Sequence, residues 1–214
     1  MHDLARELLT AERHALCDTL VAVGPDAPTL CEGWRTLDLA AHLLVRETRP
    51  DSGPGLVVPG PLARWTERVR VRAKRRGYDD IVAALRGGPP GWFTIGPMAA
   101  LNVTENWIHH EDVRRANGHG PRPADDRLEE VLWDGTRLSA RMVGRRLHGA
   151  GLVLRTSDGR ERVARDRGGE PVVTASGAPG ELVLFLAGRK EAAEVMLDGE
   201  PEAVALVLAA RFGV

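Results

Sequence analysis

Cysteine is scarce in this chain: only Cys17 and Cys31 occur among 214 residues. Two cysteines at that spacing form neither a disulfide framework nor a zinc-type pair, and a reducing interior suits them best. Long apolar runs are missing as well. None approaches transmembrane length, and the opening MHDLARELLTAERH is charged throughout, without the apolar stretch of a signal peptide. The expectation is a cytoplasmic protein with no membrane partner. Net charge is also lacking. The 29 Lys and Arg nearly cancel the 30 Asp and Glu, leaving -1, which argues against nucleic acid as a partner while leaving room for a local basic patch. Lysine itself is almost absent, with Lys74 and Lys190 the two examples, so the basic side chains are nearly all guanidinium groups. What remains is ample for folding. Hydrophobic residues make up 43%, and the length suits one large domain or two small ones.

Apolar residues recur at helical spacing over residues 3 to 23, through Leu4, Leu8, Ala11, Ala15, Leu16, Leu20 and Val23, and Gly24-Pro25 ends that helix. Thr36 reads as the N-cap of a second helix, with Asp38 in the first turn, where negative charge suits the helix dipole. This helix, LDLAAHLLVRE, carries His42 in the middle of its apolar positions. Alone, such a residue is more often a satisfied core histidine than a ligand. Residues 49 to 63 are rich in Pro and Gly and read as a long irregular loop, a type that is often functional. The basic stretch RWTERVRVRAKRR follows, with Trp65, Arg68, Val69 and Arg72 on one helical face. A solvated surface helix is the first reading of it, an anion site the second.

A short helix over 79–85 stops at Gly87-Gly88-Pro89-Pro90. The next helix runs from about 97 to 117, with Pro97 in its first turn and Asn117-Gly118 at its end. Another covers about 125 to 147, with Leu128, Val131, Leu132, Thr136, Leu138, Met142 and Val143 on its buried side. Four long helices joined by loops make a bundle, in which facing helices can project ligands inward. Beyond Gly149 the texture changes. GLVLRT and RERVAR flank the hairpin signal Ser157-Asp158-Gly159, and PVVTAS reads as a third strand. APGELVLFLAG reads as a helix, EAAEVML as a strand, and EPEAVALVLAARF as a last helix. The expected fold is mainly α: a four-helix bundle over residues 1–149, then a small α+β domain over 150–214. The second domain holds no His and no Cys, and so no soft metal ligand.

One stretch of the first domain is anomalous. In NVTENWIHHEDVRR, residues 102–115, Glu105 and His109 stand four apart, hence one above the other on a helix. Met98, Leu101, Ile108 and Asp112 share that face. Burying a carboxylate and an imidazole unpaired costs several kcal/mol, roughly, so the pair needs a partner. A divalent metal is one. Catalytic zinc takes three protein ligands from His nitrogen and carboxylate oxygen and keeps one position open. Glu105 and His109 supply two, and His42 supplies the third from a facing helix. Asp112 is placed to orient a ligand imidazole from outside the coordination sphere. His110 points elsewhere and reads as a surface or substrate-side residue. Two imidazoles and a carboxylate suit zinc, and also nickel or iron.

GWRTLDLAAHL at 33–43, followed some sixty residues later by ENWIHHEDVRR at 105–115, resembles the mycothiol-dependent maleylpyruvate isomerase family, within the DinB-like superfamily of metal-binding four-helix bundles. LAAHLLVRETRPDSGPG at 39–55 and the HHEDVRR run resemble in particular an actinobacterial metal-binding branch. The resemblance covers about residues 1 to 149, and GAPGELVLFLAGR at 177–189 extends it into the smaller domain. It implies His42, Glu105 and His109 as metal ligands, and mycothiol or a similar low-molecular-weight thiol as cofactor. The thiol would attack an electrophilic substrate, giving an isomerase or an S-transferase. A carboxylate substrate would want an arginine near the metal, and Arg46 and Arg114 are the candidates by position. The alternative is a metal-binding protein without thiol chemistry, either a hydrolase or a non-catalytic binding or regulatory module.

Overall fold

The computed structural model describes residues 2–49, 51, 60–94, 96–122 and 125–213. The helices are α1 (His2–Val23), α2 (Thr36–Thr48), α3 (Pro61–Ala73), α4 (Tyr78–Gly87), α5 (Gly96–Ala116), α6 (Asp126–Arg146), α7 (Pro179–Leu186) and α8 (Pro201–Ala209). The strands are β1 (Gly151–Arg155), β2 (Glu161–Arg165), β3 (Val172–Ser176) and β4 (Met196–Asp198). The protein is mainly helical, with a small sheet towards its C-terminal end. No described helix is long and apolar enough to cross a membrane. Two compact units divide the chain, Met1–Pro123 and Ala124–Val214.

In the first unit, α1, α2, α4 and α5 share one core, built around Leu16, Leu20, Leu39, Leu43, Ile81, Leu85 and Val113. The periodicity of α1 and α2 explains their part in it. The short α4 takes part because every apolar residue on its inner face is buried. It is also tied to α1: the Tyr78 hydroxyl donates to the Leu20 carbonyl at 2.8 Å, and Arg86 pairs with Asp18 at 2.6 Å. A buried ion pair, Arg13 to Glu47 at 2.7 Å, joins α1 to α2. Removing either partner would strand a buried charge.

Several sequence expectations are corrected here. The fourth helix of the shared core is α4. The helix expected at 125–147 is present as α6 and belongs to the second compact unit. The reason is its inner face, where Trp133, Ala140 and Val143 join the core of the sheet, while Leu138 is exposed. The N-cap of α2 is Arg35 rather than Thr36: the Asp38 carboxylate accepts the Arg35 backbone N–H, and the Thr36 hydroxyl is spent on the Gly24 carbonyl. Asp38 also receives Arg70 at 2.5 Å and Lys74 at 2.6 Å, so one carboxylate draws the basic α3 region against α2. Most of the expected 49–63 loop lies outside the described residues, and α3 begins at Pro61, where a missing N–H costs nothing.

The second unit is a four-stranded sheet in the order β2-β1-β3-β4. β1 and β2 form the expected antiparallel hairpin; β1 and β3 run parallel, with Leu152 opposite Val173 and Leu154 opposite Ala175. These four side chains face the core, which Leu182, Phe185, Ala203 and Val207 complete. α7 is apolar on every side except for Glu181, which accepts the Glu194 N–H at 2.7 Å, and it is buried at every position. β4 starts later than EAAEVML suggested and pairs antiparallel with β3 over three residues. Lys190 closes α8, donating to the carbonyls of Val207, Leu208 and Ala210 and lying 3.8 Å from the Phe212 ring centre.

Gly144 of α6 sits where a Cβ would overlap the Ala164 carbonyl of β2. Helix propensity alone makes Gly→Ala stabilising by about 1 kcal/mol. The clash reverses the sign: Gly144→Ala is expected to destabilise the protein by ~1–3 kcal/mol, the usual cost of overpacking, measured by chemical denaturation.

Candidate metal centre

The facing sides of α2 and α5 bring His42, Glu105 and His109 together. The His42 and His109 rings lie 5.3 Å apart, centre to centre, edge to face, and Trp34 closes over His42 at 5.1 Å. The two nitrogens of His109 have different neighbours. Nε2 is 3.8 Å from Glu105 Oε2, and Nδ1 is 2.9 Å from Asp112 Oδ2. The imidazole of His109 and the carboxylate of Asp112 are buried, whereas the Glu105 side chain is one-third exposed, at 33%. The cluster is therefore open on the Glu105 side. Arg46 stands there, its Nε 3.7 Å from Glu105 Oε2. Its Nη1 donates to Asn102 at 2.7 Å, and its guanidinium lies 5.4 Å from the Phe93 ring centre.

The face of α5 differs from the apolar stripe expected of it. Met98 and Leu101 are exposed. From Asn106 to Val113, all residues but Ile108 are buried, most of them polar. The charged and imidazole groups among them tolerate burial because they are paired, while the Asn106 amide nitrogen has no hydrogen-bond partner. Glu111 takes Arg115 at 2.8 Å and Arg122 at 2.7 Å, and Arg122 also donates to Glu12 at 2.8 Å. His110, expected at the surface or beside substrate, belongs to this network. It is buried, with Nδ1 facing Glu12 Oε1 and Nε2 facing the Thr19 hydroxyl, both at 2.8 Å. Both ring nitrogens are spent, so it has no lone pair left for a metal. Arg114 is engaged by Glu111 at 3.2 Å and by the Gly120 carbonyl at 3.1 Å.

Protonation separates the two histidines of the cluster. Burial, reinforced by the neighbouring His109 and Arg46 charges, pushes the His42 imidazole down to about 3, so it is neutral at pH 7. No hydrogen bond reaches its ring nitrogens among the described residues. Burial works against charge on His109 too, but hydrogen bonds to Asp112 and Cys31 outweigh it and lift the ring from 6.5 to about 9.

Cys31 is the residue that sequence reasoning missed. Its thiol donates to Asp112 Oδ2 at 3.2 Å. Cys31, His109 and Asp112 offer ligand atoms all within 4.8 Å of one another. The loop before α2 brings it there through the Leu30 N–H, which donates to the Asp112 carbonyl at 3.0 Å. Two faces of one imidazole thus compete as donor sets. On the Nδ1 face the groups satisfy one another by hydrogen bonds, with His109 and Asp112 buried and Cys31 partly buried. Nε2 faces a part-exposed carboxylate, and the neutral His42 ring, with one free lone pair, lies edge to face beside His109. Two imidazoles and a carboxylate with an open side suit a divalent ion in a reactive site, with Asp112 as the acceptor that orients His109. The residues present therefore fit a metal on the Nε2 face.

No protein-family model matches the sequence, and no curated protein matches it. Two solved structures do match, each over 94% of both chains. One is a histidine-to-alanine mutant of the mycothiol-dependent maleylpyruvate isomerase, with a TM-score of 0.58 and 16% identity. The other is the mycothiol-dependent maleylpyruvate isomerase, with a TM-score of 0.53 and 19% identity. This chain has the maleylpyruvate isomerase fold. The likeness is one of fold and spans both the helical unit and the sheet-bearing unit.

Metal titration separates the histidines. His42→Ala and His109→Ala are each expected to weaken zinc binding at least ~100-fold, whereas His110→Ala keeps zinc affinity and lowers the thermal midpoint. The pH dependence follows from His109. Its folded pKa lies above 6.5, so the stabilisation it gives the metal-free protein is full below pH 6.5 and is lost as pH rises through about 9. Denaturation of metal-free protein across that window should show the decline, and Asp112→Asn should flatten it.

Proposed function

We propose that the protein is a member of the mycothiol-dependent maleylpyruvate isomerase family that binds a divalent metal, zinc by preference, and uses a small thiol as a mycothiol-dependent isomerase or S-transferase. The observation that carries this reading is the open side of His109, where Nε2 faces the Glu105 carboxylate and the neutral His42 ring packs edge to face against the same imidazole. The shared fold supports it. His42, Glu105 and His109 would hold the ion. When bound, it would lower the pKa of a coordinated thiol so that the sulfur is thiolate at neutral pH.

The chain's own residues account for the rest. Burial keeps His42 in the neutral form that a ligand must have. Asp112 holds one proton of His109 on Nδ1; because the ring is lifted to about 9, the second proton, on Nε2, would leave as the ion binds and free that lone pair on the Glu105 side. Arg46, anchored by Asn102 and backed by Phe93, presents a guanidinium at the open side, where it would take the carboxylate of an electrophile. A bound thiolate would supply the electron pair for a carbon–sulfur bond to an electrophilic double bond, with the π pair moving onto the conjugated carbonyl oxygen as an enolate and the former double bond becoming single and free to rotate. Return of that pair with loss of the thiolate would give the isomer, and protonation of the enolate carbon instead would give a thioether. Arg114, already engaged by Glu111, has no part in this scheme.

Zinc-loaded protein incubated with a small thiol and maleylpyruvate should isomerise it, and omitting the thiol should abolish turnover. Arg46→Ala should raise KM by ~10–100-fold and change kcat less, since it removes a contact made in ground and transition states alike. Hydrolysis of test esters or amides that ignores thiol would favour a metal-dependent hydrolase. Metal binding with neither activity would favour a binding or regulatory module.

A further inference from the structure

A cleft of about 250 Å³ lies between α1 and the segment from Arg86 to Thr94. From α1 it is lined by Arg6, Thr10, Arg13 and His14; across from them are Arg86 and the glycines of the turn. No carboxylate lines it among the described residues. Two of its cations are already balanced: Arg13 by Glu47 at 2.7 Å and Arg86 by Asp18 at 2.6 Å. Two features are left over. Arg6 has no ion pair among the described residues. Arg13 is 4% exposed, and its Nη2 has no hydrogen-bond partner, although Nη1 serves both Glu47 and the Leu85 carbonyl. A buried guanidinium N–H without an acceptor is costly, and such groups call for a ligand or water. On the opposite wall, a Cβ built on Gly87 or Gly91 meets nothing within 4 Å, so a ligand can approach the main chain there.

We propose that this cleft is a second ligand site, for a small oxyanion: the phosphate or carboxylate group of a low-molecular-weight metabolite, with Arg13 Nη2 and Arg6 as its main donors. The chemistry follows from the lining. Surplus guanidinium donors with no competing carboxylate select an anion, and Arg is the side chain best matched to planar or tetrahedral oxyanions. The cleft is smaller than the pockets that take drug-sized molecules, which limits the ligand to a small one. None of its residues belongs to the His42, Glu105, His109 and Arg46 cluster, so the site stands or falls independently of the metal chemistry.

Isothermal titration of the full chain with inorganic phosphate and, separately, with succinate tests the site and tells the two anion classes apart. Saturable one-to-one binding of at least one of them is expected. Arg6→Glu should weaken it at least ~10-fold. Arg13→Lys, which keeps a cation beside Glu47 but removes Nη2, should weaken it to a similar degree. Arg72→Glu is the control, because Arg68, Arg72 and Arg75 line a separate open groove along α3. It should leave the affinity unchanged. If Arg13→Lys does not fold, Arg6→Glu decides. Absence of saturable binding, binding indifferent to Arg6→Glu, or binding lost in Arg72→Glu would overturn the proposal.

Discussion

The hydrogen bond between His109 Nδ1 and Asp112, 2.9 Å long and buried, is the interaction on which the arrangement of the helical unit turns. It sets which nitrogen of His109 faces the open side of the cluster. It also fixes the loop between α1 and α2: the same carboxylate accepts the Cys31 thiol, and the Asp112 carbonyl takes the Leu30 N–H. That loop sets where α2 begins, and the start of α2 sets the height of His42 opposite His109. One fully buried carboxylate therefore links the entry of one helix to the chemistry of another.

A buried carboxylate is stable only when its acceptor capacity is filled. The chain meets this requirement along the whole second half of α5. Glu111 is surrounded by arginines, Glu12 by Arg122 and His110, and Asp112 by His109 and Cys31. Polar burial on this scale makes the helix a poor slider. Shifting it by one residue would break every pair at once, so the ladder of charges holds register as an apolar face could not. The cluster at Glu105 is the place where the ladder is left open, facing Arg46 with its carboxylate part-exposed.

The parts of this molecule legible in its sequence are those carried by local periodicity. α1 and α2 announce themselves by apolar spacing, the hairpin by Ser157-Asp158-Gly159, and α7 by its uninterrupted apolar run. Two pairwise neighbours had sequence signals as well: Glu105 beside His109 through four-residue spacing on one helix, and His42 beside His109 as a histidine amid apolar residues on another. What was not legible depended on long-range contacts. Cys31 meets Asp112 across 81 positions, and only the path of the loop decides that. His110 reads as exposed until Glu12 and Thr19 of α1 are set against it. α6 has the pattern of a bundle helix, but that pattern does not say whether its apolar face meets helices or a sheet. Arg114 is the exception: its carboxylate partner, Glu111, lies three residues before it on the same helix and was a local signal that the sequence already carried.

X-ray absorption at the zinc edge of the loaded protein, before and after addition of a small thiol, tests the central claim most directly. The account predicts nitrogen and oxygen scatterers alone in the thiol-free protein, from two imidazoles and a carboxylate. On adding thiol, a sulfur should appear at about 2.3 Å. A sulfur already present without thiol, and lost in Cys31→Ser, would place the ion on the Nδ1 face of His109 and contradict the account.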